Sequence, residues 1–324
     1  LKKITIIGAG LSGTLLAINL LMQNWPESGI IYWIECNSDR NMGFAYSTDE
    51  EYLLNVPVEL MSAFSNKPES FLQWSRVKDR SVKPGAFLPR KWYRDYVQEL
   101  LKNAIAGKNN IQLVRIRNQA IDITMNDNRA KVYLKNNESI ETDKVVLAIG
   151  NPLPGNPHLA DMEYINDKRY VQNPWDTELL DRISKNAAIV FIGSGQTMVD
   201  LVTGLFRRKH QGRLISISRR GILPLPHKMA APYPSFFDEL KDLSTILSVF
   251  QIVRKHLKIA EEKKLDPRSV IDSLRPYTTR IWMNLPAEEK NRFLRHLFRH
   301  WEIIRSRIPP ASETIVKDLR NSGQ

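Results

Sequence analysis

Apolar positions along the chain fall twice into the order strand, glycine turn, helix, strand. The first instance is ITIIGAGLSGTLLAINL at residues 4–20, followed by IIYWIE at 30–35. The second is IVFIGSGQTMVDLV at 189–202, followed by RLISIS at 213–218. Near-continuous apolar runs ahead of each turn suit strands covered on both faces. Between the two units, residues 36–89 are rich in Asn, Ser, Asp and Pro and read as a long irregular stretch. RKWYRDYVQELLKNAIA at 90–106 then brings Trp92, Tyr93, Tyr96, Val97, Leu100 and Leu101 to helical spacing. IQLVRIRNQAIDITM and AKVYLKN alternate as antiparallel strands do, and KVVLAIG reads as a fully apolar buried strand. NPLPGNP at 151–157 marks a boundary that no regular element crosses. From about Phe236 onward the pattern is helical, with VIDSL, RFLRHLFRHWEIIR and ETIVKDL as cores.

The glycine turns give these patterns a chemical meaning. GAGLSG satisfies G-x-G-x-x-G with Gly8, Gly10 and Gly13, and Ala9, Leu11 and Ser12 fill the intervening positions. In a dinucleotide cradle Gly8 makes the tight turn, Gly10 lets backbone approach a pyrophosphate, and Gly13 packs helix on strand. Amides at the helix start then face the phosphates. Glu35 closes the second strand 22 residues after Gly13. A carboxylate there accepts from ribose hydroxyls and repels a 2′-phosphate, which predicts FAD or NAD and disfavours NADP.

The second turn, GSGQTM, keeps Gly193 and Gly195, with Ser194, Gln196 and Thr197 around them, but has Met198 at the third position. Its second strand runs into Arg219 and Arg220 where the first has an acid. Guanidinium groups suit a 2′-phosphate, so this cradle predicts NADP. The expected fold is α/β, with two Rossmann-like dinucleotide-binding domains, 1–157 for FAD and 158–235 for NAD(P), and a helical C-terminal region, 236–324.

Charge and cysteine usage narrow the surroundings. The net charge is +12, and from residue 250 onward sixteen Lys and Arg face nine Asp and Glu. No nucleic-acid recognition motif accompanies that excess, so anionic cofactors and solvated basic faces account for it. The single Cys36 cannot form an internal disulfide, and no apolar run reaches the roughly 18 residues of a membrane span, so a cytoplasmic protein without membrane partners is expected. One cysteine also excludes a dithiol reductase that would pass electrons from flavin to its own thiol pair. Neither a Gly-x-Ser-x-Gly elbow nor a His-Glu-x-x-His helix is present.

The motifs GAGLSGTLLA, GFAYSTDEEYLLNVPVELMSAFSNKPESFLQW, FLPRKWYRDYV, VVLAIGNPLP, NPWD, FIGSGQTMVD, ISRRGILPLPH, SLRP and FLRHLFRHW span nearly the whole chain. In that order they resemble the bacterial FAD/NAD(P)-binding proteins that are distantly similar to N-hydroxylating flavin monooxygenases acting on lysine or ornithine. The resemblance implies that LLNVP and MSAF run near the flavin ring. It also implies that Arg90 lies near the cofactor and that Gly150 ends the strand beneath it. Family members continue past RSRIPP with a segment that completes the flavin site. This sequence ends at Gln324, so the expectation is either a fragment of a longer chain or a flavin pocket open on one side, with the flavin held by its adenosine end and the ring end exposed. The family's His-Arg-His-Arg run is replaced here by IIRSR at 303–307.

The expected function is an FAD-dependent, NADPH-utilising oxidoreductase of monooxygenase type with a small-molecule substrate. The alternative is a non-catalytic nucleotide-binding or scaffold protein that retains the fold. Asn55 and His227 are the catalytic candidates: Asn55 could hydrogen-bond an oxygenated flavin, and His227 follows the second nucleotide unit. His296 and His300 stand at i, i+4 on an expected helix, but the surrounding arginines disfavour a metal there, and no metal is expected.

Overall fold

A computed structural model describes residues 2–36, 43, 45–46, 52–107, 110–176 and 178–324. The chain divides into two compact units, Leu1–Ile183 and Ser184–Gln324. Among the described residues, no helix is long and apolar enough to cross a membrane.

In the first unit β1 (Lys2–Ile7) leads through the Gly8–Gly10 turn into α1 (Leu11–Leu21), and β2 (Gly29–Glu35) follows. Then come α2 (Ser70–Lys78), α3 (Arg90–Ala106), β3 (Ile111–Arg117), β4 (Ala120–Asn126), β5 (Arg129–Leu134), β6 (Ser139–Thr142) and β7 (Lys144–Leu147). Strands β3, β2, β1 and β7 form a parallel sheet in that order, and β4, β5 and β6 form an antiparallel sheet. Adjacent residues of β1 and β2 point to opposite faces. Ile6, Ile31 and Trp33 pack with Ala17, Ile18, Tyr93, Tyr96 and Val97 on the helical side. Ile7 and Ile34 pack with Val132 and Leu134 against the antiparallel sheet. Burial on both faces is why these two strands are apolar at nearly every position.

Several expectations change here. The stretch IQLVRIRNQAIDITM is not one pair of antiparallel strands. Its first half is β3, an edge strand parallel to β2, and its second half is β4. An edge strand is half exposed, so β3 alternates just as an antiparallel strand would. Nor is KVVLAIG fully buried: β7 lies at the opposite edge, with Leu147 62% exposed. The irregular stretch contains α2, whose Phe71 and Leu72 enter the helical-side core and whose Ser70 hydroxyl bonds the Tyr96 phenol. The expected boundary at residue 157 lies inside the first unit. Residues after it fold back on it through Tyr170 to Asn156 (2.9 Å) and Gln172 to the Pro154 carbonyl (2.9 Å). Trp175 meets the Tyr52 ring edge-on.

A short helix, α4 (Leu179–Arg182), precedes the second unit. There β8 (Ile189–Ile192), α5 (Gln196–Arg207) and β9 (Leu214–Ile217) form a parallel strand–helix–strand. Helices α6 (Ile246–Glu262), α7 (Pro267–Ser273), α8 (Thr278–Asn284), α9 (Ala287–His296), α10 (Phe298–Arg305) and α11 (Pro310–Ser322) follow. Helix α11 packs on α5, where Ile308 and Leu319 join Met198, Val199 and Val202 in one cluster. The run RFLRHLFRHWEIIR is broken at Leu297 (φ −112°), so His296 and His300 belong to different helices. The Phe293 and Phe298 rings meet edge-to-face across that break.

Candidate functional site

The first turn is shaped by what stands beside it. Gly8 takes φ +113°, and a Cβ there would lie 2.2 Å from the Ala148 carbonyl oxygen at the end of β7. A Cβ on Gly13 would lie 2.0 Å from the Gly8 carbonyl oxygen. That oxygen also accepts from the Trp33 indole (3.1 Å), so it is enclosed on two sides. Gly10 is different: nothing comes within 4 Å of a Cβ placed there. It starts α1 with no side-chain cap, so the first-turn amides of Leu11, Ser12 and Gly13 have no partner within the helix. Ala9 packs against the helical-side core.

Glu35 ends β2 with 9% of its surface exposed. Its Oε1 lies 3.8 Å from Arg117 Nε, a long pair with a cation that is itself 79% exposed. The carboxylate therefore keeps lone pairs for other donors. Gly43 passes beside Gly10, its Cβ position 3.5 Å from the Gly10 Cα. Tyr46 packs on Tyr93; burial pushes the Tyr46 phenol pKa up, and the Arg90 charge works against that.

Arg90 is buried at the start of α3. Its Nε donates to the Leu53 carbonyl (3.0 Å), and its guanidinium lies 5.9 Å from the Tyr52 ring centre and 5.7 Å from that of Trp175. Leu53 bridges Pro89, and the Leu54 amide donates to the Leu88 carbonyl (2.8 Å). The LLNVP segment that carries Asn55 and the FLPR segment that carries Arg90 thus run side by side. Gly150, with φ +69°, lies just beyond β7, and a Cβ there would meet nothing within 4 Å. Residues 44 and 47–51 of the GFAYSTDEEYLL motif lie outside the described residues.

In the second turn Gly193 takes φ +116°, and neither it nor Gly195 would bring a Cβ within 4 Å of anything. Helix α5 also lacks a side-chain cap, so its first-turn amides, from Gln196 and Thr197 onward, have no partner within the helix. The Gln196 side chain is engaged elsewhere, donating to the Arg307 carbonyl (2.8 Å). Ser194 is buried, and its hydroxyl donates to the Ile222 carbonyl (2.8 Å). Arg219 and Arg220 follow β9 and are exposed. The His227 amide donates to the Ile308 carbonyl (2.9 Å), which ties that loop to the segment before α11.

Two residues reach this cradle from α10: Arg299, which sequence patterns did not single out, and His300, which they offered only as half of a disfavoured metal pair. Arg299 donates to the Ser194 hydroxyl (3.3 Å) and the Ile222 carbonyl (3.4 Å), and His300 Nε2 lies 2.7 Å from Arg220 Nη1. Nothing local in FRHWEIIR signals contacts with residues about 80 to 105 positions away. Among the described residues no group of three or more His, Cys, Asp or Glu is placed to hold a metal ion.

Residues 5–152 match the FAD-NAD(P)-binding family. The match runs from β1 past β7 and contains the Gly8–Gly13 turn, Glu35, Arg90 and Gly150. No curated protein sequence matches the chain. Among solved structures, the chain is similar to the FAD-bound cadaverine monooxygenase DfoA of the desferrioxamine biosynthetic pathway from Erwinia amylovora. That likeness has 17% identity and a TM-score of 0.59, and covers 99% of this chain and 65% of that one. It is also similar to the ornithine N-hydroxylase KtzI of Kutzneria sp. 744, seen with FADred, NADP+ and L-orn. Here identity is 13% and the TM-score 0.56, with coverage of 99% and 69%. These likenesses establish an α/β fold built around a parallel sheet. The chain spans just under two thirds of the first relative's length.

Proposed function

We propose that this protein is an FAD-dependent, NADPH-utilising oxidoreductase of monooxygenase type, acting on a small-molecule substrate. In this reading the two strand–helix–strand units are two Rossmann-like domains, FAD on the first and NADPH on the second. The observation that carries it is the contrast at the ends of their second strands, Glu35 as the last residue of β2 and Arg219–Arg220 just after β9. An acid there selects ribose hydroxyls, and guanidinium groups select a 2′-phosphate.

The residues present fit both groups. Open space at Gly10 with uncapped amides at the start of α1 suits a pyrophosphate, and Glu35 keeps acceptor capacity for a ribose. Gly193 and Gly195 leave the same kind of space ahead of α5. Bound flavin would supply the redox chemistry. The chain's own work is to hold the adenosine phosphates on amides, to read each ribose by charge, and to keep Arg90 fixed beside the Tyr52 and Trp175 rings. Cadaverine and ornithine, named for DfoA and KtzI, make an amine the first substrate class to try.

Flavin absorbance of the purified protein and heat stabilisation by added FAD test the first assignment. A colourless protein indifferent to FAD would sink it. For the second, NADPH should bind more tightly than NADH by on the order of tenfold to a hundredfold, and Arg219→Ala should erase the difference. Equal affinities in the unmutated protein refute it.

A further inference from the structure

Arg219 and Arg220 have no acidic partner among the described residues, although the chain forms ion pairs widely elsewhere in this unit. Arg220 instead donates from Nη1 to His300 Nε2 at 2.7 Å. A guanidinium can only donate, so this imidazole nitrogen must be the unprotonated acceptor. The contact fixes the direction of the Arg220 fork without neutralising its charge. An arginine held this way remains an anion receptor, whereas one paired with a carboxylate is already satisfied.

The neighbouring residue makes the arrangement more than a chance surface contact. Arg299 reaches the Ser194 hydroxyl inside the glycine turn and the Ile222 carbonyl just after it. The Ser194 hydroxyl in turn lies 2.9 Å from that of Ser218, which accepts from the Gly221 amide (3.0 Å). Glu302, one turn along α10, holds Arg299 at 2.7 Å. Consecutive residues of α10 therefore anchor the turn and Arg220 of one cradle.

We propose that His300, carried on α10, is a positioning residue that sets Arg220 to receive a phosphomonoester and so selects 2′-phosphorylated nucleotides on the second cradle. This rests on the assignment of NADPH to that cradle. Arg299 holds Ser194 and the Ile222 carbonyl together, which keeps Arg220 in register with the Gly193–Gly195 turn.

The test measures dissociation constants of NADPH, NADH, 2′,5′-ADP and 5′-ADP for the full chain and its variants. His300→Ala should reduce the NADPH-over-NADH preference about threefold to tenfold, leaving NADH binding unchanged, because only the orientation of Arg220 is lost. 2′,5′-ADP should weaken by the same factor and 5′-ADP should not. His300→Gln, whose side-chain carbonyl can accept from Arg220, should restore most of the preference. Unchanged preference in His300→Ala, or parallel loss of NADPH and NADH, overturns the inference while leaving the NADPH assignment standing. Equal binding of NADPH and NADH by the unmutated chain overturns both.

Discussion

Gly8 and Gly193 share nearly the same backbone, with φ +113° and +116°, yet a Cβ added to the first meets a carbonyl at 2.2 Å and one added to the second meets nothing within 4 Å. The difference lies in what each strand has beside it. β1 is flanked by β2 and β7, and the end of β7 closes on Gly8. β8 pairs only with β9 among the described residues, and Val190 and Ile192 are exposed. The third positions follow suit. Gly13 has no room for a side chain, whereas Met198 is buried in the cluster that joins α5 to α11. The three-glycine pattern is therefore two requirements in one: an open turn for a ligand and a close approach of helix to strand. The second cradle keeps the first requirement and replaces the second by packing on helices. Loss of the third glycine says nothing against a nucleotide there.

The sharpest break of this comparison pairs Gly8→Ala with Gly193→Ala. Each introduces a side chain at a φ that costs about 1–3 kcal/mol. Gly8→Ala adds a collision with backbone that cannot yield, bringing its total to about 3–5 kcal/mol. Hydrogen exchange of β1 and β8 amides under urea would read each unit separately. Equal losses would mean that the two turns are supported alike.

The second unit's dependence on helices gives the next effect. Arg307 is 4% exposed and lies between the two oxygens of Asp272 at 2.9 and 3.0 Å, with Nε donating to the Ile304 carbonyl. Its own carbonyl holds Gln196 at the start of α5. Asp272→Ala leaves a buried guanidinium without its counter-charge, at a cost of about 3 kcal/mol. Protection at β8 and α5 amides should fall, and unchanged protection there would show that the cradle does not lean on this segment.

How legible each cradle was in the sequence follows from the same contrast. Gly8, Gly13 and Glu35 lie within one strand–helix–strand unit, so their spacing carries the geometry. Helix α3 was legible because its apolar positions repeat at the helical period over 17 residues. Strand β3 was misjudged because alternation reports one exposed face and not the direction of its partner. Helix α2 was hidden by polar neighbours, its core contacts resting on Phe71 and Leu72. The roles of Arg299, His300 and Arg307 were illegible because each depends on a contact across about 80 to 111 residues. Local pattern carries no record of such a pairing.

Where the two cradles are expected to agree is at the open glycine. Gly10 and Gly195 have φ −71° and −86°, values any residue adopts, with empty space at the Cβ position. Replacing either by Ala should change stability by less than about 1 kcal/mol, since the entropy gained in the unfolded chain offsets a poorer helix start. Affinity for the dinucleotide should fall by on the order of tenfold to a hundredfold as backbone contacts with the pyrophosphate are lost. Calorimetric titration of FAD against Gly10→Ala and of NADPH against Gly195→Ala would check this. A variant that loses stability and keeps its ligand would mean that the open space serves packing.

The smallest expected effect is an acid-sensitive one, in the helices that support the second cradle. Asp266 caps α7 by accepting from the Arg268 amide at 2.9 Å, and it also faces Arg268 Nη1 (2.9 Å) and Lys228 Nζ (3.6 Å). Burial pushes its carboxyl up, but the Arg268 amide and the two cations together hold it below its ordinary value of 3.8. A carboxyl depressed in the folded state binds its proton more readily once unfolded. Its stabilisation is therefore complete above the ordinary value and disappears as pH falls through the lower, folded value. Asp266→Asn keeps a capping oxygen but has no charge to lose, so the difference in urea midpoint between wild type and variant should shrink as pH falls from 6 toward 3. Asp266→Ala removes the cap as well and should cost about 1 kcal/mol more than Asp266→Asn at every pH. A wild-type-to-Asn difference that stays constant down to pH 3 would show that the two cations contribute nothing to holding α7, and that the helical support of the second cradle rests on the cap and on apolar packing alone.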